Sequence, residues 1–276
     1  MHLESMSWLV PLAALLAAGL FAGFCAGMFG IGGGFVVVPA MLLVLPLLKG
    51  LPGEYTHTAI GTSGATIIVA SLRSVTSHAK RGAVDFGIMR AWAPWLVVGS
   101  AIGVALADQV SGTALKLIFA CGVLCLSAFF IVPRLSRIVL TDKMPSGAVL
   151  AGIAGGLGVV SSLLGIGGGT IAITVMTWCG RSIHRAIATA AGFGALIAIP
   201  ASIGFAIIGF GRHGLPWGSI GYVNLPAAIA IVSMSVLTAP LGVAAAHGLP
   251  PDPLKRIFGA YLVVISLFMF KSALKF

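Results

Sequence analysis

Gly27-Met28-Phe29-Gly30-Ile31-Gly32-Gly33-Gly34-Phe35-Val36-Val37-Val38-Pro39-Ala40-Met41 and Ser162-Leu163-Leu164-Gly165-Ile166-Gly167-Gly168-Gly169-Thr170-Ile171-Ala172-Ile173-Thr174-Val175-Met176 are two copies of one pattern. Each is an apolar stretch interrupted by the same five residues, Gly-Ile-Gly-Gly-Gly, and the copies lie about half the chain apart. Each glycine in a helix costs about 1 kcal/mol relative to alanine, so three in a row break it. Each copy predicts an apolar helix, a loop, and a second apolar helix.

The duplication extends outward from the glycines. Gly23 and Gly158 precede the breaks by the same interval, and His57-Thr58-Ala59-Ile60 aligns with His184-Arg185-Ala186-Ile187. Later, Gly103-Val104-Ala105 matches Gly242-Val243-Ala244, and Leu115-Lys116 matches Leu254-Lys255. Order and spacing persist through both halves, which marks an internal repeat. The boundaries read as a first repeat over 1–133, a basic linker over 134–147 and a second repeat over 148–276.

Composition sets the solvent. Of 276 residues, 59% are hydrophobic and 8% charged, and the mean hydropathy is +1.12. Soluble domains carry about 25% charged residues, so this chain cannot build a water-facing surface. In lipid the backbone must satisfy its own hydrogen bonds, leaving helix bundles and closed barrels. The apolar runs, at 8–28, 35–48, 59–77, 91–107, 113–132, 148–164, 170–179, 186–210, 222–246 and 254–274, are unbroken rather than alternating. The fold class is therefore an all-α integral membrane protein of about five helical segments per half. Residues 8–28 read as a retained helix, because the run is too long for a signal-peptide core and no cleavage site follows.

Each half is expected to hold two short helices around its glycine break and three longer ones. That makes an odd number of crossings, so the second half enters from the opposite side and the repeats are inverted. Lys and Arg are unequally shared between the two sets of loop ends. Arg73, Lys80, Arg81, Arg90, Arg134, Arg137, Lys143, Arg181, Arg185, Lys255 and Arg256 fall on one side. Lys49, Lys116, Arg212, Lys271 and Lys275 fall on the other. The positive-inside rule puts the richer set in the cytoplasm and both termini in the periplasm of a bacterial inner membrane. It also accounts for the net charge of +10 without a nucleic-acid partner.

Two inverted breaks would meet near mid-depth. A helix restarting after each, at Phe35 and Thr170, presents free N–H groups and a partial positive charge. Together they would hold an anion with no buried cation. The candidate substrate-binding set is Gly32, Gly33, Gly34, Gly167, Gly168, Gly169, Thr170, His57, Thr58, Thr62, Ser63, His184 and Thr189. The competing reading of the glycines is close helix packing. The two histidines read either as anion or proton contacts or as interfacial residues at helix starts. The hydroxyls either face an oxyanion or bond back to their own helices. Arg73 either snorkels or lines the exit path.

The remaining features point to structure. The breaks lack the Lys-Ser/Thr of a nucleotide loop. Cys25, Cys121, Cys125 and Cys179 show no metal-ligand spacing and read as buried packing. Trp92, Trp95, Trp178 and Trp217 read as an aromatic belt. No paired carboxylates or served nucleophile lie inside the apolar segments, so neither an enzyme, a metal site nor a cofactor is expected.

The two glycine-break stretches, the His/Thr stretches that follow and the overall size resemble the TauE/SafE family of membrane permeases. The resemblance spans essentially the whole chain. Its motif falls on Gly30, Gly32, Gly33, Gly34 and Pro39, and on Gly165, Gly167, Gly168 and Gly169. Thr174 stands where the first copy has Pro39, so the two breaks are not equivalent. The resemblance implies a secondary transporter, exporting sulfite or a small organosulfonate such as sulfoacetate by alternating access. The expected partners are that sulfur-containing anion, membrane lipid and a coupling proton or ion. A passive small-anion channel is the alternative.

Overall fold

The computed structural model describes residues 8–48, 50–132, 139–248 and 251–274. Part of the basic linker expected over 134–147 therefore lies outside the described residues. The described chain forms ten α-helices: α1 (Leu9–Phe29), α2 (Gly34–Val44), α3 (Tyr55–Ala79), α4 (Phe86–Asp108), α5 (Gly112–Ile131), α6 (Gly147–Leu164), α7 (Gly169–Trp178), α8 (Ile183–Ile208), α9 (Leu225–Gly248) and α10 (Pro251–Leu274). A two-residue antiparallel ribbon, β1 (Ser219–Ile220) and β2 (Val223–Asn224), precedes α9.

The chain is an all-α integral membrane protein. Six of the described helices are long and apolar enough to cross a bilayer: α1, α4, α6, α8, α9 and the Arg256–Leu274 stretch of α10. Large apolar side chains face outward along them, among them Ile203, Ile207, Ile229, Leu237, Ile257 and Val264. That is the reverse of a water-soluble surface and suits contact with lipid tails.

α3 has membrane length but lower hydropathy, and its position explains why. It lies at the centre of the bundle, with Thr56, His57, Thr62, Ser63, Thr66, Ser71, Ser74 and His78 buried. Its polar groups meet protein rather than lipid. α8 packs along it and is its counterpart in the second half.

The outer helices pack through small residues. Gly19, Gly23 and Gly27 of α1 lie against the carbonyls of Ile231, Ser235 and Ala239 of α9, where a Cβ would collide with backbone. Gly99 and Gly103 of α4 lie in the same way against Gly155 and Val159 of α6. Small residues one turn apart let helix backbones approach closely in the absence of a hydrophobic driving force. α1 against α9 corresponds to α6 against α4 when the halves are exchanged, and α5 packs on α10.

The path of the chain fixes two faces. Trp8, just before α1, packs edge-on against Trp217 of the α8–α9 connection at 6.3 Å. At the other end of α1, the Gly27 carbonyl bonds to His78 at the end of α3. α2 then returns toward the first face, where Leu51 donates its N–H to the Gly214 carbonyl at 2.8 Å. α2 has 11 residues and α7 has 10. At 1.5 Å per residue each spans about 16 Å, roughly half a hydrocarbon core. Among the described α-helices only these two are short. α1 and α6, with 21 and 18 residues, are full-length, which corrects the expectation of two short helices around each break.

Two further expectations are corrected. Trp92 is fully buried and stacks on Phe193 at 5.2 Å, so it belongs to the core between α4 and α8 and not to an interfacial belt. Cys25 and Cys179 are buried, but Cys121 and Cys125 are exposed on the outer side of α5.

Candidate functional site

Both breaks are built from left-handed glycines. Gly30 and Gly165 end α1 and α6 with φ of 66° and 63°, and Gly33 and Gly168 precede α2 and α7 with φ of 78° and 66°. These angles suit glycine and strain other residues. Gly32 is left-handed as well, at φ 77°.

The breaks meet. Gly167 donates its N–H to the Ile31 carbonyl at 3.2 Å. A Cβ on Gly34 would strike the Gly165 carbonyl, and one on Gly169 would strike the Gly30 carbonyl. These contacts exchange when the halves are exchanged. Gly30 likewise lies against Ile187 of α8, and Gly165 against Ile60 of α3. Of the predicted set, Gly32, Gly33, Gly34, Gly167, Gly168 and Gly169 are therefore brought together where the two breaks meet. In this conformation the contact is packed backbone against backbone.

Ser63 reaches the site directly, donating to the Gly165 carbonyl at 2.8 Å. Thr170 opens α7 with its hydroxyl buried and unpartnered. The other predicted hydroxyls are engaged elsewhere. Thr58 donates back to the Glu54 carbonyl at 2.9 Å. Thr62 accepts the N–H of Asn224, and Thr189 accepts that of Asp85, both at 2.9 Å. Asn224 and Asp85 each receive a backbone N–H three residues on, from Ala227 and Ile88, at 3.1 Å. Each threonine thus pins the residue that caps the first turn of a helix packed against its own: Thr62 that of α9, Thr189 that of α4.

The two matched histidines lie far from the breaks, at opposite ends of the bundle. His57 bonds to the Ala107 carbonyl at 3.1 Å and stacks on Tyr222 at 5.0 Å. It borders a cavity of about 420 Å³ with Glu54, Asp108, Lys116, Arg212 and Tyr222. We call this end the vestibule face. Arg212 pairs with Asp108 at 3.3 Å, and the Tyr222 hydroxyl donates to Glu54 at 2.6 Å. Burial and the Glu54 carboxylate push the Tyr222 phenol well above its usual range. His184 is exposed at the other end, stacked on His247 at 5.6 Å. We call this the basic face, since Arg81 and Arg185 lie there.

Several polar residues around the breaks escaped the sequence reading. Ser71, Ser161 and Ser202 have buried hydroxyls with no partner. Ser161 lies beside Gly168, Ser71 beside Gly194 of α8, and Ser202 beside Gly64 of α3. Ser100 bridges Ser162 at 2.7 Å and the Ile197 carbonyl at 2.8 Å. The available signal was the set of polar residues of α3 at 63, 71, 74 and 78, which follows one helix face. Arg73 is exposed and off that face.

Four unpartnered hydroxyls inside an apolar bundle are costly, roughly 1–3 kcal/mol each. Hydroxyls and backbone N–H groups are the donors an oxyanion needs. With this geometry in place, the comparisons with known proteins decide the class. The family described as "Sulfite exporter TauE/SafE" matches residues 15–269. The chain belongs to that family. A "Probable membrane transporter protein" of Haemophilus influenzae is 34% identical over 256 residues, covering 92% of this chain and 96% of the relative. One of Methanocaldococcus jannaschii is 25% identical over 269 residues, covering 95% and 96%. One of Bacillus subtilis is 32% identical over 213 residues, covering 73% and 75%. No solved structure gives a significant match. Members of the TauE/SafE family and these relatives are membrane transporters rather than enzymes, and this chain is a multi-pass membrane transporter.

Proposed function

We propose that the chain carries sulfite, or a small organosulfonate such as sulfoacetate, by alternating access, with export as its direction. The observation that carries this reading is the reciprocal seating of the two breaks, Gly34 on Gly165 and Gly169 on Gly30, with unpartnered hydroxyls around them. Separating the breaks frees the first N–H groups of α2 and α7, whose dipoles favour an anion. Ser71, Ser161, Thr170 and Ser202 add donors without adding charge. Neutral donors balance an anion in a low-dielectric interior while leaving it able to depart.

The halves are read as inverted repeats. α3 begins at the vestibule face and α8 at the basic face, as the partners of His57 and His184 indicate. α4 begins beside Thr189, and α9 begins beside Thr62. Repeats of this kind rock against each other around a site at their interface. The basic face is assigned to the cytoplasm of a bacterial inner membrane, which puts both termini in the periplasm. The sulfur anion itself rests on family membership.

The test is labelled-sulfite counterflow into liposomes holding the purified protein, with sulfoacetate, sulfate and chloride as competitors. Saturable counterflow blocked by sulfoacetate supports the reading. Linear flux without counterflow would indicate a channel. Absence of flux with every sulfur anion, from folded protein, would remove the substrate assignment.

A further inference from the structure

Three histidines from three helices form a ladder on the basic face. His184 at the start of α8 is exposed, His247 in the last turn of α9 is half-buried, and His78 in the last turn of α3 is 1% exposed. His184 stacks on His247, the rings 5.6 Å apart and 25° from parallel. His247 Nε2 lies 3.3 Å from His78 Nδ1. His78 Nε2 lies 3.2 Å from the Gly27 carbonyl of α1.

These contacts fix the protonation state of the closed arrangement. A carbonyl only accepts, so His78 Nε2 carries the hydrogen. In neutral imidazole Nδ1 is then the acceptor, and His247 Nε2–H donates to it. One proton on the pair only reverses the bond, with His247 Nε2 now accepting from His78 Nδ1–H; a second proton makes both rings imidazolium and sets two N–H groups against each other. Among the described residues, the charged and titratable groups facing the cluster are Arg81 in the turn after α3, His184 from α8 and His247 from α9. From α1 comes only the Gly27 carbonyl.

Beneath His78 the polar face of α3 continues inward. Ser74 donates to the Ala26 carbonyl at 3.3 Å, and Ser71 is buried without a partner one turn further in. Ile67, the next residue on that face, touches Gly32 of the first break. The histidine ladder therefore caps the track from the basic face to the paired breaks.

We propose that His78, His247 and His184 form a proton-operated latch that holds the basic face closed. Proton uptake from water on that face until both His78 and His247 are imidazolium releases α9 from α3. The inference rests on the two-face reading of the preceding section. The vestibule face closes by different chemistry. Asp108 ends α4 at the position matching His247, by the offset that pairs Gly103 with Gly242, and it is held by Arg212. Near neutral pH an Arg–carboxylate pair keeps its charges while imidazole titrates. Proton uptake at the latch thus couples opening of the basic face to one half of the transport cycle.

The experiment measures accessibility and needs no substrate, so its failure is separate from failure of the sulfite reading. Ser74→Cys is introduced into full-length protein in nanodiscs, with Cys25, Cys121, Cys125 and Cys179 replaced by alanine. The rate of labelling by an impermeant thiol reagent is compared with and without His247→Phe between about pH 8 and about pH 5.5, the range in which imidazole titrates. The ratio of the two rates cancels the ionisation of the reporter thiol. The latch predicts faster labelling in His247→Phe at the alkaline end, and a ratio falling toward unity in acid by up to about tenfold per pH unit for each coupled proton. A ratio that stays constant with pH overturns the proposal. His78→Gln, which keeps a donor for Gly27 but removes the titrating ring, must lose the pH response of the latch. A retained pH response there overturns the proposal as well.

Discussion

Gly167 donates its backbone N–H to the carbonyl of Ile31 across 3.2 Å, joining the glycine break of one half to that of the other. A second bond, from Ser63 to the Gly165 carbonyl, ties α3 to the same junction. Otherwise the junction is held by van der Waals contact between backbones that no side chain separates. Few bonds must therefore break when the two breaks part. Ser63→Ala leaves the buried Gly165 carbonyl without this donor, at a cost of about 1–3 kcal/mol. Thermal unfolding in detergent should show a lower midpoint for Ser63→Ala, with Ser63→Thr retaining more of the stability.

The unpartnered hydroxyls should behave in the opposite way. Ser71→Ala, Ser161→Ala and Ser202→Ala each remove a buried polar group that is bonded to nothing in this conformation. Their stability should be unchanged or slightly increased. If the hydroxyls contact the anion, each loss should weaken apparent affinity by about ten- to a hundredfold, since a hydrogen bond to a charged group contributes about 1.5–3 kcal/mol. Concentration dependence of counterflow, measured beside thermal stability, checks both.

Thr62 and Thr189 make matched contacts, and their loss should have matched effects. Thr62→Val strands the N–H of Asn224, which is fully buried. Thr189→Val strands that of Asp85. Each should destabilise by about 1–3 kcal/mol. Serine at either position should recover most of the loss, as read from unfolding midpoints.

Tyr222 gives the vestibule face an alkaline limit. Its phenol is raised above its ordinary value of 10.0 by burial and by Glu54. A group whose folded-state pKa is raised contributes stability that is complete below the unfolded pKa and lost as pH rises beyond it. Stability should therefore decline above about pH 10, the ordinary tyrosine value. Tyr222→Phe should be less stable at neutral pH and should flatten that decline, measured by unfolding at a series of pH values.

Much of this architecture is legible in the sequence, because glycine breaks and apolar length are local signals. The ten apolar runs become the ten described α-helices, and Gly30–Gly34 and Gly165–Gly169 lie between helices as their spacing requires. Which polar residue meets which is not local. Thr62 and Thr189 read as candidate anion donors, yet they serve helix starts distant in sequence. His57 and His184 align in the duplication but lie at opposite ends, because α3 and α8 begin at opposite faces. His78 and His247 carried no signal alone, since their pairing joins residues far apart in the chain. Trp92 looked interfacial because its neighbours are, but the ring turns inward onto Phe193.

The most direct test of the paired-break account is labelled-sulfite counterflow by Gly34→Ala and Gly169→Ala, the two positions whose missing Cβ lets the breaks close. Each variant is first checked for native helix content and monodispersity in detergent. The account predicts that folded Gly34→Ala and folded Gly169→Ala both lose saturable counterflow, because neither can return to the closed junction. Full counterflow from either folded variant would contradict a transport cycle that closes at this junction.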